Sequence, residues 1–393
     1  MNTTTIQRPA PAALTSERAA QIRAAYTAQR AKGLRAKDAA EAAGSSEGEA
    51  LAAHAAQLLD GAPSALQVQP LQAPQGAWID LLKALEPCGP VMALTRNNST
   101  VHERTGVYTN LSAGGELGAQ VGLAVGEDID LRLFFASWHA AFAVVEASPH
   151  GGNAVLRSLQ FFNREGRAMH KVFAREATDL AAWNALVERF AWPTDADAGS
   201  LPGFDQPRAR KPVSVPADST IDVPALRSAW AAMQDTHEFF SIIKKAGAER
   251  QQSFRLVQGQ FGWPLAQGSV TQLLNEAAFA GTPIMVFVSS GGCIQIHSGP
   301  VQRIEPMTTP AAEWINVLDE KFNLHLRTDL IAHVWLVEKP TSDGIVTSVE
   351  VFDEYGDLMA MFFGARKPGK PELSAWRELA TGLQRLDTEA VIA

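Results

Sequence analysis

The feature that most limits how this chain can fold is an internal repeat. Val91-Met92-Ala93-Leu94, followed by TRNNSTVHERTG, matches Ile284-Met285-Val286-Phe287, followed by VSSGGCIQIHSG, at an offset of 193 residues without a gap through Gly106 and Gly299. The same offset relates Asp130-Leu131-Arg132-Leu133 to Asn323-Leu324-His325-Leu326 and Trp183 to Trp376. An offset of 190 relates residues 158–162 to 348–352 and Gly166 to Gly356. Ordered matches of this extent identify a tandem duplication, so whatever the first half folds into, the second folds into as well.

Each half opens with a run of good helix formers that closes on a glycine. These runs are ALTSERAAQIRAAYTAQRAKGL, ending at Gly33, and PALRSAWAAMQDTHEFFSIIKKAG, ending at Gly247. More helix follows, and AGSSEGEALAAH reads as a loop between the early helices. Period-two alternation then takes over: in GEDIDLRLFF, Ile129, Leu131, Leu133 and Phe135 share one face, with Asp130, Arg132 and Phe134 on the other. The turns NREG and DEYG separate consecutive strands and predict antiparallel hairpins. A closing helix carries Trp183 or Trp376.

The predicted class is therefore α+β, a tandem duplication of two similar halves, each with a large antiparallel β-sheet flanked by helices. Residues 1–14 are expected to be disordered, 15–192 to form the N-terminal half and 220–393 the C-terminal half. Residues 193–219, dense in Pro, Gly, Asp and Ser, read as a linker.

Composition excludes several function classes. The net charge of −8 gives no reason to expect nucleic acid or an anionic membrane as partner. No apolar run reaches the ~18 residues of a membrane helix, and the start has no secretory h-region. The expectation is a cytoplasmic protein without membrane insertion. The two cysteines, Cys88 and Cys293, cannot alone build a disulfide scaffold, a cysteine-rich zinc site or an iron–sulfur cluster. The nine histidines form no HExxH pair, and GxSxG, P-loop and GxGxxG motifs are missing.

A duplicated chain offers its own comparison: packing positions should agree between halves, and a site used once should break the agreement. His237 has no counterpart, because matching Gly33 to Gly247 sets Arg23 opposite it. Most lone helix histidines only face solvent, yet a single exposed imidazole is also a good axial ligand for iron. Arg132 faces His325 in the repeat: either an ordinary arginine on an exposed sheet face or a guanidinium over a ligand. Lys244, Lys245, Arg250 and Arg255 follow His237 closely, with Lys339 and Arg366 as further cations. They fit a solvated helix face or a carboxylate-bearing ligand, and spacing does not choose between them.

Taken together and in order, TRNNSTVHERTGVY, DLRLFF, MQDTHEFF, RQQSF, MVFVSSGGCIQIHSG and KPTSDGIVTSVEVF resemble the bacterial hemin-degrading factor and hemin transport family (HemS/ChuS/HmuS type), over residues from about 20 to about 385. The resemblance implies a cytoplasmic haem-binding protein of iron acquisition. Such a protein accepts imported haem, iron protoporphyrin IX, and passes it on or releases its iron. It implies His237 as the iron ligand and Arg132 as the distal, catalytic arginine with Phe134 beside it. Arg250, Lys339 and Arg366 would hold the propionates, and His102 would be a secondary haem contact. One haem would lie in a cleft between the halves. Where some members carry Gln and Tyr near the propionates, this chain has Met361 and Phe363, which removes a hydroxyl donor. A haem importer and a downstream haem oxygenase are the implied partners, and the protein could be monomer or dimer. The alternative function is a haem oxygenase-like enzyme that opens the porphyrin with oxygen and reductant. A repeat protein without a prosthetic ligand is the third reading.

Overall fold

The computed structural model describes residues 11, 13–59, 66–73, 77–116, 120–147, 155–193, 201–367 and 369–386. Most of the segment expected to be disordered, 1–10 and 12, lies outside them, as do 194–200 of the expected linker. The first repeat runs α1 (Ser16–Ala31), α2 (Ala36–Ala42), α3 (Glu47–Leu59), β1 (Gln67–Leu71), α4 (Trp78–Lys83), β2 (Val91–Arg96), β3 (Thr100–Gly106), β4 (Leu111–Gly114), β5 (Val121–Val125), β6 (Asp130–Phe134), β7 (Ala140–Ala147), β8 (Val155–Phe162), β9 (Ala168–Ala174) and α5 (Leu180–Phe190). The second runs α6 (Val223–Ala231), α7 (Glu238–Ala246), α8 (Arg250–Leu256), β10 (Gly262–Leu265), α9 (Ser269–Ala280), β11 (Ile284–Ser289), β12 (Cys293–Gly299), β13 (Ile304–Thr309), β14 (Ala312–Leu318), β15 (Phe322–Arg327), β16 (His333–Thr341), β17 (Gly344–Phe352), β18 (Leu358–Gly364) and α10 (Ser374–Gly382).

The residues divide into two compact units. One comprises Met1–Thr95, Thr105–Ala209 and Ser290–Ile294; the other comprises Arg96–Arg104, Arg210–Ser289 and Gln295–Ala393. Each is one repeat plus a short segment from the other repeat. In the first unit the antiparallel order is β1-β7-β8-β9-β2, with β6-β5-β4 as a second group. The second unit repeats this order as β10-β16-β17-β18-β11, with β15-β14-β13 and β3 beside β15. The α+β duplication expected from the sequence is the observed fold.

Alternation sets the faces of the strands. Leu131 and Leu133 of β6 are fully buried, while Asp130, Arg132 and Phe134 are half-buried. The NREG and DEYG turns behave alike: Asn163 Oδ1 accepts from the N–H groups of Glu165 and Arg167, and Asp353 Oδ1 from those of Tyr355 and Asp357. Gly166 and Gly356 close these turns at φ of 70° and 83°, where a side chain would be strained. In the first unit the sheet packs on α4 and α5 through Trp78, Leu82, Trp183 and Leu186; in the second, on α9 and α10 through Leu273, Leu274 and Trp376.

Two departures from the sequence reading matter for function. Most of the tract read as a loop is helix α3, which starts where Ser46 Oγ accepts from the N–H of Glu49. The second opening run, read as one helix, is two: α6 stops at Ala231 and α7 starts at Glu238. The first repeat is divided in the same way, since α1 stops at Ala31 and α2 starts at Ala36. The expected match of Gly33 to Gly247 is corrected: Gly247 follows the second helix of its repeat, as Gly44 does at φ 68°, so Gly44 is its counterpart and Arg23 does not stand opposite His237. Each repeat thus sets three helices before its first strand, with α6, α7 and α8 in the places of α1, α2 and α3, and the turn between the first two is longer in the second repeat.

Candidate functional site

The interruption in the second unit is built by Asp235. Its Oδ1 accepts from the backbone N–H of His237 at 2.8 Å, which draws the chain into a turn instead of a further helical step. The same oxygen lies 2.6 Å from His237 Nδ1. On one side of the turn Trp230 and Met233 are buried, and on the other Phe239 and Ile243. The carbonyl of Gln234 accepts from the N–H of Ser342 at 2.9 Å and from its hydroxyl at 3.2 Å. A turn so anchored holds His237 outward, with its side chain 93% exposed. Phe240, on the next turn, is 67% exposed, and Lys244 and Lys245 are exposed further along α7. The His237 N–H, then its ring, hold the Asp235 carboxyl below the usual carboxylate range, with Arg366 adding to the effect.

Beneath α7 lies a buried ionic cluster. Glu350 accepts from Arg250 Nε at 2.8 Å through one oxygen and from Lys339 Nζ at 2.8 Å through the other. Lys339 also donates to Ser348 Oγ at 3.2 Å, and Arg250 Nη2 lies 3.4 Å from Met361 Sδ. Arg250 and Lys339 flank the Phe239 ring at 5.1 and 4.9 Å, and Lys339 lies 5.7 Å from the Phe363 ring. Burial pushes the Glu350 carboxyl up, but Arg250 and then Lys339 outweigh it and hold it at about 2. Burial lowers Lys339, opposed by Glu350. Two cations against one carboxylate leave the cluster positive.

Arg366 Nη1 lies 3.3 Å from both Asp343 Oδ2 and the Lys370 carbonyl. The second unit thus gathers His237, Arg250, Lys339 and Arg366 around α7 and the turn before it. His102 belongs to the same unit but is fully buried on β3, against Phe322 at 4.9 Å, and burial, then His297 and Arg104, keep it well below the usual imidazole range. Arg132 and Phe134 belong to the first unit. Arg132 is paired with its neighbour Asp130, and Nη1 also donates to the Leu131 carbonyl at 3.2 Å. The mismatch with His325 is really one of pairs: Arg132 faces Leu123 across the strands, whereas His325 Nδ1 meets Asn316 Oδ1 at 2.7 Å.

Sequence reasoning missed Asp235 and Glu350. The D-x-H spacing, which suits a carboxylate turning back on the second following N–H, could have indicated the first. Glu350, the one charged residue in VTSVEVF, stands on the strand face of Ser348, where a lone carboxylate needs a cation. Among the described residues no three His, Cys, Asp or Glu side chains gather to cage a metal, and no helix is long and apolar enough to cross a membrane. The arrangement can offer one imidazole nitrogen to a metal that brings its other ligands with it, next to apolar surface and positive charge.

The duplicated fold and the single-imidazole site define a class: the chain belongs to the haemin-degrading HemS/ChuX domain family, whose sequence model matches residues 44–190 and again 247–383. His237 lies between the two matched segments. The hemin transport protein HmuS of Yersinia pestis is 40% identical over 310 residues, covering 79% of this chain and 85% of that protein. HemS of Yersinia enterocolitica, also a hemin transport protein, is 38% identical over 310 residues, with the same coverage. Among solved structures, holo-PhuS, a heme-binding protein of Pseudomonas aeruginosa, aligns at a TM-score of 0.83 and 43% identity over 94% of this chain and 99% of that one. ChuS of Escherichia coli O157:H7, described as a heme degrading enzyme, aligns at 0.78 and 31% identity, over 94% and 100%.

Proposed function

We propose that this chain is a cytoplasmic haem carrier of bacterial iron acquisition, which accepts one haem after import and hands it on, with His237 Nε2 as the iron ligand. The observation that carries the reading is the exposed imidazole in the interrupted helix, with Nδ1 committed to Asp235 and only Nε2 left for a metal. Phe240 offers apolar surface to a porphyrin. Arg250 and Arg366, both only partly buried, suit the two carboxylates, while Lys339 acts on them from below as part of a positive cluster. The similarity to heme-binding and hemin transport proteins supports the same cargo.

A hemin titration followed by absorbance tests this. Wild type should saturate at one equivalent with a sharp Soret band; His237→Ala should lose that band and bind weakly, without a plateau. Arg132→Ala, titrated alongside, reports on the distal role implied by its motif. Equal binding by wild type and His237→Ala would refute the ligand assignment. Ring opening is the second reading, favoured by the likeness to ChuS. Loaded protein given oxygen and a physiological reductant, with catalase to remove free peroxide, should keep its spectrum if it is a carrier. Bleaching with one equivalent of linear tetrapyrrole would make it an enzyme.

A further inference from the structure

We infer that Asp235 is the positioning residue of the His237 ligand, fixing which ring nitrogen is free and strengthening its donation, so that the site favours ferric over ferrous haem. The inference rests on the reading of His237 above. An ionised carboxylate can only accept hydrogen bonds, so its 2.6 Å contact requires the proton on Nδ1 and puts the lone pair on Nε2. Because Oδ1 also accepts the His237 N–H at 2.8 Å, main chain and ring are fixed to one atom. Asp235 is itself held: its carbonyl accepts from the Glu238 N–H at 3.0 Å, and the preceding carbonyl accepts from Ser342. The ring is thus oriented before any ligand arrives, which lowers the ordering cost of binding.

A carboxylate on the far nitrogen also gives the imidazole part of the character of its anion. A more basic axial ligand stabilises the higher oxidation state of iron. The first repeat has no such couple. The matching turn, between α1 and α2, runs Lys32-Gly33-Leu34-Arg35 and holds neither a carboxylate nor an imidazole.

Two variants test this in the full chain. Asp235→Asn keeps an acceptor oxygen without the charge, and Asp235→Ala removes both. In haem-free protein, at a pH where the ring is neutral, 15N NMR should find Nδ1 protonated in wild type and Asp235→Asn, and a tautomer mixture in Asp235→Ala. Both variants should bind ferric hemin about tenfold or more weakly. Their reduction potential should rise, and the iron–histidine stretch of the ferrous form should move to lower frequency, most in Asp235→Ala. A purely structural turn residue would shift the unfolding midpoint but leave potential and stretch alone. Unchanged potential and stretch in both variants would overturn the inference, as would a wild-type ring protonated on Nε2. If His237→Ala bound hemin like wild type, the ligand assignment would fail and take this inference with it. The NMR result would tell that outcome from a missing Asp235 contact.

Discussion

The two repeats present equivalent sheet faces and fill them with opposite chemistry. Register makes Gln160 of β8 the counterpart of Glu350 of β17: Gln160 stands between Phe142 and Lys171, and Glu350 between Trp335 and Met361. In the first repeat Lys171 is buried in a close pair with Glu47 of α3. In the second, α8 stands in the place of α3 and brings Arg250 where the first repeat has Glu47, so Glu350 holds Arg250 and Lys339 in a cluster with a surplus cation. One copy plugs its face with the Glu47–Lys171 pair; the other sets an arginine of α8 there and exposes an imidazole in the turn before α7. Duplication lets the first keep the scaffold while the second departs from it.

Acidification should produce the largest effect, and by different routes. His170 in the first unit and His297 in the second are both held at about 3, chiefly by burial, with Arg104 adding at His297. His170 is also fully bonded, to Thr95 Oγ1 at 2.9 Å and Tyr108 Oη at 2.6 Å. Each ring binds fewer protons folded than unfolded, so its stabilisation is full above pH ~6.5 and fades as pH falls toward 3, by on the order of 4 kcal/mol. Glu350 adds a second window in its unit alone, with stability present above the ordinary carboxylate value and lost as pH falls through about 2. His54 and His139 in the first unit and His102 in the second are lowered by burial as well, so hydrogen exchange resolved by unit should show losses in both down to pH ~4.5 and a steeper loss in the second unit below it. Equal slopes throughout would break the comparison.

Next in size, Glu350→Ala should cost about 3–5 kcal/mol in denaturant unfolding, because Lys339 would be left buried, and Arg250 half-buried, without their partner. Gln160→Ala should cost only about 1 kcal/mol. Near-equal costs would mean that the ionic cluster is not what distinguishes the faces. The smallest effect is expected where the first repeat's pair is removed whole. Lys171→Met with Glu47→Gln should change stability by no more than about 1 kcal/mol, since a buried pair exchanged for less polar groups is often neutral. A large loss there would make that pair a specific strut rather than a plug.

Much of this was legible in the chain. The repeat, the alternation of β6 and the NREG and DEYG turns all rest on local periodicity or turn chemistry, and all appear as expected. The helix interruption was not, because Ala, Met, Glu and Lys around MQDTHEFF favour helix while one side-chain oxygen decides otherwise. Helix α3 was misread for a similar reason: Gly44, Ser45 and Ser46 suggest a loop, yet Ser46 starts the helix. The Glu350 cluster depends on register between residues 100 and 11 positions apart, which no window along the chain samples.

The exchange of strand segments carries a consequence for how the protein is made. Because residues 96–104 belong to the second unit and 290–294 to the first, the inherited duplicates are not the pieces that fold. A nascent chain leaving the ribosome cannot finish its first unit until residues 290–294, well inside the second duplicate, have been translated. Until then an unmated edge waits for its closing segment. Proteolysis near the midpoint would release two products, each lacking something held by the other. Recombination that swaps whole duplicates between relatives would have to preserve those borrowed stretches to yield a working hybrid.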